Sequence, residues 1–319
     1  MSTAAVTSQN TRFLGERWYT NNRLKGLSRF AFAITLLNVL GHLWLGFEQS
    51  WLTPFVALAA AYGTDLLAET VDARFNGRKS AFSGGFGNLV AFLLPAHISG
   101  LAVGMLLFGA EQLWIIAFGA AVSIASKWVF RIAIETPSGR LSRPHFFNPS
   151  NFGITVVLLL FPSVGIAPPY MFAENISGAL DWILPLIIVC TGSLLNTKLT
   201  GRMPLILAWL VAFAAQAAIR SAVNGTPLEA ALLPMTGFAF VLFTFYMITD
   251  PGATPFRPRS QIMFAVAVAA LYGLLVQAHI VFAMFYALSL VSAGRGLLLL
   301  LSQIKRAQSQ ARRPLEVSA

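Results

Sequence analysis

Two polar, proline-containing segments interrupt an otherwise apolar sequence, and they hold most of the residues that could do chemistry. They cover residues 143–153 and 249–258, and each adjoins a hydrophobic stretch. Irregular backbone beside or within a membrane is stable only where protein or a water-filled cavity satisfies its N–H and C=O groups. Such interruptions are candidates for a ligand-binding site. The residues predicted to contact a ligand here are His145, Asn148, Pro149, Ser150, Asn151, Thr249 and Asp250.

The first segment has the composition of a helix N-terminus. Pro149 is tolerated in a first helical turn because its missing N–H would lack a partner there, and Asn148 can cap the helix. The free N–H groups and the positive end of the helix dipole would then favour a phosphate, a carboxylate or the electron-rich edge of an isoalloxazine ring. The alternative is a capped helix that packs on its neighbours and binds nothing.

The second segment follows the end of a hydrophobic stretch. Carbonyl groups there, together with Asp250, could receive a cation or an N–H donor, although a cap or turn role for Asp250 is the alternative. We expect Arg257 and Arg259 to set membrane topology rather than to bind phosphate.

Asp65 and Glu69 are the most prominent charges inside an apolar stretch. They are four residues apart, so they share one helix face. Carboxylates at such depth are costly and are functional candidates by default. They are predicted to form an ion or proton path, by relaying protons or binding Na⁺; the alternative is ion pairing with Lys127 and Arg131.

The sequence offers little to a metal ion. Cys190 is the only cysteine, which excludes a disulfide or a cysteine-ligated metal site within this chain. His42, His97 and His279 raise the question of a bis-histidine haem, but we expect hydrogen-bonded structural histidines instead. No metal site is predicted.

Composition places these residues in a membrane protein. The 319 residues are 56% hydrophobic and 11% charged, with a mean hydropathy of +0.70. Apolar runs long enough to cross about 30 Å of hydrocarbon as helices recur throughout, whereas the alternation of a β-barrel is absent. The fold class is therefore an all-α polytopic membrane protein. We predict ten transmembrane helices, near residues 29–47, 52–71, 86–108, 113–133, 152–168, 180–197, 203–222, 230–248, 261–279 and 281–301.

The distribution of charge predicts the orientation. If the N-terminus is cytoplasmic, every Lys and Arg except Arg220 falls in or beside a cytoplasmic segment. Both termini and both polar segments are then cytoplasmic, and the net charge of +10 reflects topology and lipid contact rather than nucleic-acid binding. Ten helices suggest two inverted halves of five. The predicted organisation is a basic tail (1–28), a membrane domain (29–301) and a second basic tail (302–319).

At these motifs the chain resembles the RnfD/NqrB family, the membrane flavoprotein subunits of the Rnf complex and of the sodium-translocating NADH:quinone reductase. The first match is Phe147-Asn148-Pro149-Ser150-Asn151-Phe152-Gly153, where the family has an Asn-Pro-Ala-type motif. The others are Ile248-Thr249-Asp250-Pro251 and Lys127, which matches a recurrent lysine near the inner end of the fourth helix. Residues 145–153 and 167–175 are closer still to a divergent, UnbU-like branch. The resemblance covers residues 29 to about 300 and implies ten helices, a flavin, and the bacterial cytoplasmic membrane.

One departure from the family limits what the resemblance implies. The family carries FMN on the threonine of an external Ser-Gly-Ala-Thr motif, and this chain has Ser177-Gly178-Ala179-Leu180 there. Leucine has no hydroxyl group, so a covalent phosphoester is excluded. Thr254 follows a Gly-Ala pair as well, but it lies on the predicted cytoplasmic side, opposite to where the family is flavinylated.

Two functions of different class remain open. The first is a redox subunit that binds riboflavin or FMN non-covalently, with Lys127 among the contact residues, and that passes electrons to other membrane redox subunits. It would be at most an electron-relay part of an oxidoreductase, because the sequence has no dinucleotide or iron–sulfur motif. The second is a transporter or channel for a small solute or biosynthetic product on the same scaffold.

Overall fold

The computed structural model describes residues 23–109, 111–136, 139, 141–167, 174–175 and 177–312. Most of the predicted N-terminal tail, the end of the C-terminal tail and most of the 167–175 segment therefore lie outside the described residues. The first helix begins at Arg23 and the last helix ends at Arg312, so parts of both predicted tails are helical.

Helices dominate the described part of the chain. They are α1 (Arg23–Leu40), α2 (Thr53–Phe75), α3 (Phe86–Leu106), α4 (Leu113–Val129), α5 (Pro149–Leu160), α6 (Leu180–Leu195), α7 (Met203–Asn224), α8 (Leu228–Leu232), α9 (Phe238–Leu242), α10 (Pro258–Gln277) and α11 (Ala283–Arg312). Short antiparallel strand pairs join β1 (Leu107–Phe108) to β4 (Gly165–Ile166) and β2 (Ile134–Glu135) to β3 (Leu141–Ser142).

The helices confirm an all-α membrane protein. Within the described residues, six helices are long and apolar enough to cross a membrane, and a bent pair of helices makes up to seven. Their outer faces leave large apolar side chains uncovered; Phe32 and Val211 are each 70% exposed. Apolar patches of this extent mark a surface that faces lipid or another protein.

Two segments differ from the continuous spans that were predicted. The helix expected at 152–168 is the 12-residue α5, which ends because Phe161 precedes Pro162 and the residue before proline disfavours helix. The span expected at 230–248 is a pair of short helices bent by 64°. Pro234 lies in the 3₁₀ turn before the bend and Gly237 at the bend itself, and both residues weaken a continuous helix.

The helices α1, α6 and α9 each end in one wide π-helical turn, at Gly41–Leu45, Asn196–Thr200 and Phe243–Met247. The first two turns close in the same way. Gly46 and Gly201 each follow in the left-handed conformation, which glycine adopts readily. In each case the glycine N–H and the next N–H donate to the carbonyl of the first residue of the turn. Such turns are frequent at functional sites.

Small residues allow the helices around the first polar segment to pack closely. A Cβ atom added at Gly100 of α3 would lie 2.9 Å from the Ala61 Cβ of α2. A Cβ at Gly153 of α5 would lie 2.8 Å from the Ser123 Cβ of α4. Close backbone approach of this kind is the usual way in which membrane helices associate, and it fixes the position of the α5 N-terminus.

The close packing at Gly153 gives a stability prediction. Gly153→Ala is expected to lower the free energy of unfolding by about 1–3 kcal/mol, because the added methyl group overpacks the contact with α4. Gly63 is the matched control, since it is exposed on α2 with nothing within 4 Å of an added Cβ. Gly63→Ala should raise stability by roughly 0.5–1 kcal/mol. Unfolding in mixed detergent micelles measures both, and an equal effect of the two changes would contradict the packing.

Candidate functional site

The two polar segments meet at one cavity of about 1360 Å³, which lies between α1, α3, α6 and the turn that follows α9. The structure thus brings together residues far apart in sequence. Of the predicted contact residues, Asn151 does not line the cavity. Those that do are Lys127, His145, Asn148, Pro149, Ser150, Thr249 and Asp250.

Asn148 joins the first segment to the second. It caps α5 as predicted, with its Oδ1 accepting the Asn151 backbone N–H (2.9 Å) and the Ser150 hydroxyl (2.9 Å). Its Nδ2 donates to the carbonyl of Met247 (2.9 Å), two residues before the second segment. One buried side chain therefore sets both the start of a helix and the distance between the two segments.

Asp250 makes a second link between the segments. Its Oδ2 lies 3.2 Å from His145 Nε2, and its Oδ1 accepts the N–H of Gly252 (2.8 Å). Asp250 is thus a turn residue, as the alternative interpretation held, and also a hydrogen-bonding partner of His145. The preceding Thr249 donates its hydroxyl to the carbonyl of Phe245 (2.7 Å). Asn151 is directed away from the cavity, where its Nδ2 donates to Ser289 Oγ (2.8 Å).

Arg202 holds the second segment, and the sequence analysis missed this role. Its guanidinium is buried and donates to Thr254 Oγ1 (2.7 Å), to the Thr200 carbonyl (3.2 Å) and to the Pro251 carbonyl (3.2 Å). Arg295 of α11 donates to the Ala253 carbonyl of the same segment (2.8 Å). In the sequence, Arg202 was one basic residue among many near a membrane surface, so nothing distinguished it.

The hydroxyl of Thr254 is occupied in this arrangement. It accepts from Arg202 Nε and donates to the carbonyl of Asp250 (2.6 Å). The side chain is 3% exposed. A buried hydroxyl with two partners is poorly placed to accept a phosphoester.

Asp65 and Glu69 both form ion pairs. The carboxylate of Asp65 is fully buried and accepts from Lys127 Nζ (2.7 Å) and Trp128 Nε1 (2.7 Å). Glu69 accepts from the two terminal nitrogens of Arg78 (2.5 and 2.9 Å). Pairing with Lys127 is thereby confirmed. An ion or proton path through Asp65 and Glu69 stays a prediction.

Within the described residues, Arg131 forms no salt bridge with Asp65 or Glu69. Glu69 pairs with Arg78 instead, because the loop after α2 folds back and also places the Ala81 N–H on Glu69 (2.6 Å). Arg131 donates to the Lys127 carbonyl (2.8 Å), and its guanidinium lies over the Trp128 ring at 4.2 Å. The alternative of ion pairing therefore holds for Lys127, which pairs with Asp65, and not for Arg131.

Positive charge dominates the cavity wall among the described residues. The lining carboxylates are Glu69 and Asp250, and both have basic partners. Hydrogen bonds to Glu69 and Asp72 raise the pKa of Arg78 above its usual value, so Arg78 stays cationic. A wall of this kind favours an anionic ligand. The lining cations are Arg23, Arg29, Arg78, Lys127, Arg131, Arg143 and Lys198.

Aromatic rings form part of the same wall. Phe30 and Tyr246 stack with their centroids 4.9 Å apart and their planes 2° from parallel. The Tyr246 hydroxyl lies 3.0 Å from Thr191 Oγ1, which ties α1, α6 and the turn after α9 together. Trp128 also lines the cavity. Flat aromatic surfaces next to cations suit a ligand with a planar ring and an anionic group.

The histidines of the membrane region do not pair with one another. His97 Nδ1 lies 2.6 Å from the Tyr62 hydroxyl, and its Nε2 lies 2.7 Å from Thr35 Oγ1. His42 Nδ1 bonds the Asn38 carbonyl (2.9 Å). In the described part of the chain, no group of three or more His, Cys, Asp or Glu residues could hold a metal ion.

The chain matches no family of known proteins, and a search of curated proteins finds none that is significantly similar. The fold and the cavity therefore define the class by themselves. The protein is a multi-pass α-helical membrane protein with a large, basic cavity at the junction of two polar segments.

Proposed function

We propose that this protein is an electron-transfer subunit of a membrane complex and that it holds riboflavin or FMN non-covalently in the cavity. The observation that carries the proposal is the meeting of both polar segments around one space with cationic and aromatic walls. The cavity volume of about 1360 Å³ exceeds the roughly 300–1,000 Å³ of most ligand sites, so it is large enough for a flavin.

The charges and the helix end suit the two parts of a flavin. The N-terminus of α5 brings a positive dipole end and the Ser150 N–H to the wall at Pro149 and Ser150. Pro149 has no N–H, and the Asn151 N–H is bonded to Asn148. The stacked pair of Phe30 and Tyr246 offers an apolar surface to an isoalloxazine ring. Leu180 in the loop before α6 cannot carry a phosphoester, so binding without a covalent bond is the form that the sequence supports.

The proposed arrangement has ten membrane crossings with both termini in the cytoplasm and two inverted halves of five. Each predicted span overlaps a helix or a bent helix pair. Two features support the halves. The wide turns that end α1 and α6 close identically and stand five predicted spans apart, and α2 packs along α4 as α7 packs along α10. The basic cavity wall would then face the cytoplasm.

Electron transfer would require partners, because this chain has no dinucleotide-binding or iron–sulfur motif of its own. Its resemblance to the RnfD/NqrB family, and to the UnbU-like branch in particular, suggests other membrane redox subunits in the bacterial cytoplasmic membrane. Coupling to ion movement through Asp65 and Glu69 is part of the same proposal.

A flavin titration tests the proposal. Purified protein is expected to quench the fluorescence of added riboflavin or FMN, and Tyr246→Leu should weaken binding by up to about tenfold, because a lost aromatic contact costs roughly 0.5–1.5 kcal/mol. Tyr286→Leu is the control, since Tyr286 is partly buried but does not line the cavity. A protein that isolates without bound flavin and quenches neither compound would contradict the proposal.

One observation favours the alternative of a transporter or channel for a small solute or biosynthetic product. The cavity follows α3 along its whole length, from Asn88 to Leu106, as a translocation path would. Flux of an anionic solute into proteoliposomes, in protein that binds no flavin, would support this alternative instead.

A further inference from the structure

The cavity also opens sideways between α1 and α6. Several apolar side chains on these helices line the cavity and are at the same time exposed; Phe32 is 70% and Leu194 is 56% exposed. Both helices, with the wide turns that end them, are among those long and apolar enough to cross a membrane. The opening therefore faces the hydrocarbon of the bilayer. The other exposed lining residues are Leu24, Leu36 and Ile187.

Cations stand at the polar end of this opening. Arg29 lies on α1, and Lys198 lies in the turn after α6. Both line the cavity and are exposed. Positive-inside topology alone would distribute cations over the whole cytoplasmic face, as it does for Arg257 and Arg259, which are exposed but do not line the cavity. Arg29 and Lys198 differ from those two residues because they lie beside an apolar opening, where a lipid headgroup could reach them.

We propose that the opening between α1 and α6 binds an anionic phospholipid, with its phosphate on Arg29 and Lys198 and an acyl chain in the cavity. Basic pockets between membrane helices on the cytoplasmic side are suited to such headgroups. The volume of about 1360 Å³ leaves room for a chain beside a polar ligand. A zwitterionic lipid would gain less from the two cations, so charge sets the specificity. The proposal does not depend on a flavin.

The test uses full-length protein in a neutral detergent, with binding read by native mass spectrometry. The probes are dioleoyl phosphatidylglycerol, dioleoyl phosphatidylcholine and inorganic phosphate. We expect phosphatidylglycerol to bind at least about tenfold more tightly than phosphatidylcholine, and Arg29→Gln with Lys198→Gln to remove most of that difference, since each cation contributes roughly fivefold. Arg257→Gln with Arg259→Gln, which changes the same charge away from the cavity, should retain it.

A second pair of variants tests the opening without altering charge. Leu194→Trp narrows the opening and should weaken phosphatidylglycerol binding. Leu186→Trp, on an exposed face of the same helix away from the cavity, should leave binding unchanged. The proposal would be overturned if the two lipids bound equally well. It would also be overturned if the two double glutamine variants lost phosphatidylglycerol binding equally, or if the two tryptophan variants did. Inorganic phosphate that binds as tightly as phosphatidylglycerol would overturn it too, because the acyl chain would then contribute nothing to binding.

Discussion

Replacing Lys127 by methionine is expected to lower the free energy of unfolding by about 3–5 kcal/mol, because it leaves a buried carboxylate without its counter-ion. Asp65 is fully buried, and its Oδ2 accepts from Lys127 Nζ at 2.7 Å. Methionine has a similar volume and fills the space, so the loss reports on charge rather than on a cavity. Reversible unfolding in mixed detergent micelles measures it.

Two further variants separate the ion pair from other effects. Lys79→Met removes an exposed lysine and should change stability by less than about 0.5 kcal/mol. Lys127→Met combined with Asp65→Leu removes both charges, and buried pairs replaced by apolar residues are often neutral in stability. The double variant should therefore recover most of the loss, apart from the unpaired Trp128 N–H, which costs about 1–3 kcal/mol.

The same variants bear on the proposed function. Lys127 lines the cavity and Asp65 does not. If Lys127 contacts a bound anion, the double variant regains stability but still binds a flavin weakly. If the ion pair serves folding alone, stability and flavin binding recover together. A single Lys127→Met variant as stable as the wild type would contradict the buried pair altogether.

Local chemistry predicted much of the site because the relevant partners are near in sequence. Asn148 could be identified as a helix cap since its partners, Ser150 and Asn151, follow within three residues. The spacing of Asp65 and Glu69 placed both on one helix face. These inferences use backbone geometry that the sequence determines directly.

Contacts across the fold could not be predicted in the same way. That Asn148 donates to Met247 depends on how the helices are arranged. That Glu69 pairs with Arg78 depends on how the loop after α2 folds back. The membrane-protein class follows from composition, but the bend at Gly237 follows from local breakers whose effect depends on neighbouring helices. Arg202 had no sequence signal apart from its charge.

Arg202 is where we expect the other large effect. Arg202→Met should lower the free energy of unfolding by at least about 3 kcal/mol, because hydrogen bonds to a charged group contribute roughly 1.5–3 kcal/mol each. The guanidinium donates to Thr254 Oγ1 at 2.7 Å and to two backbone carbonyls at 3.2 Å. Without it, the buried Thr200 carbonyl and the half-buried Pro251 carbonyl each lose a donor.

The conservative change shows what the planar guanidinium contributes. Arg202→Lys keeps the charge, but one ammonium group cannot reach three acceptors in the directions that a guanidinium does, so we expect an intermediate loss of stability. Arg259→Met, at an exposed arginine just inside α10, is the control and should be nearly neutral. Because Pro251 lines the cavity, Arg202→Lys should also weaken binding of any ligand held there. A lysine variant with wild-type stability and unaltered binding would mean that the second segment keeps its shape through its other contacts.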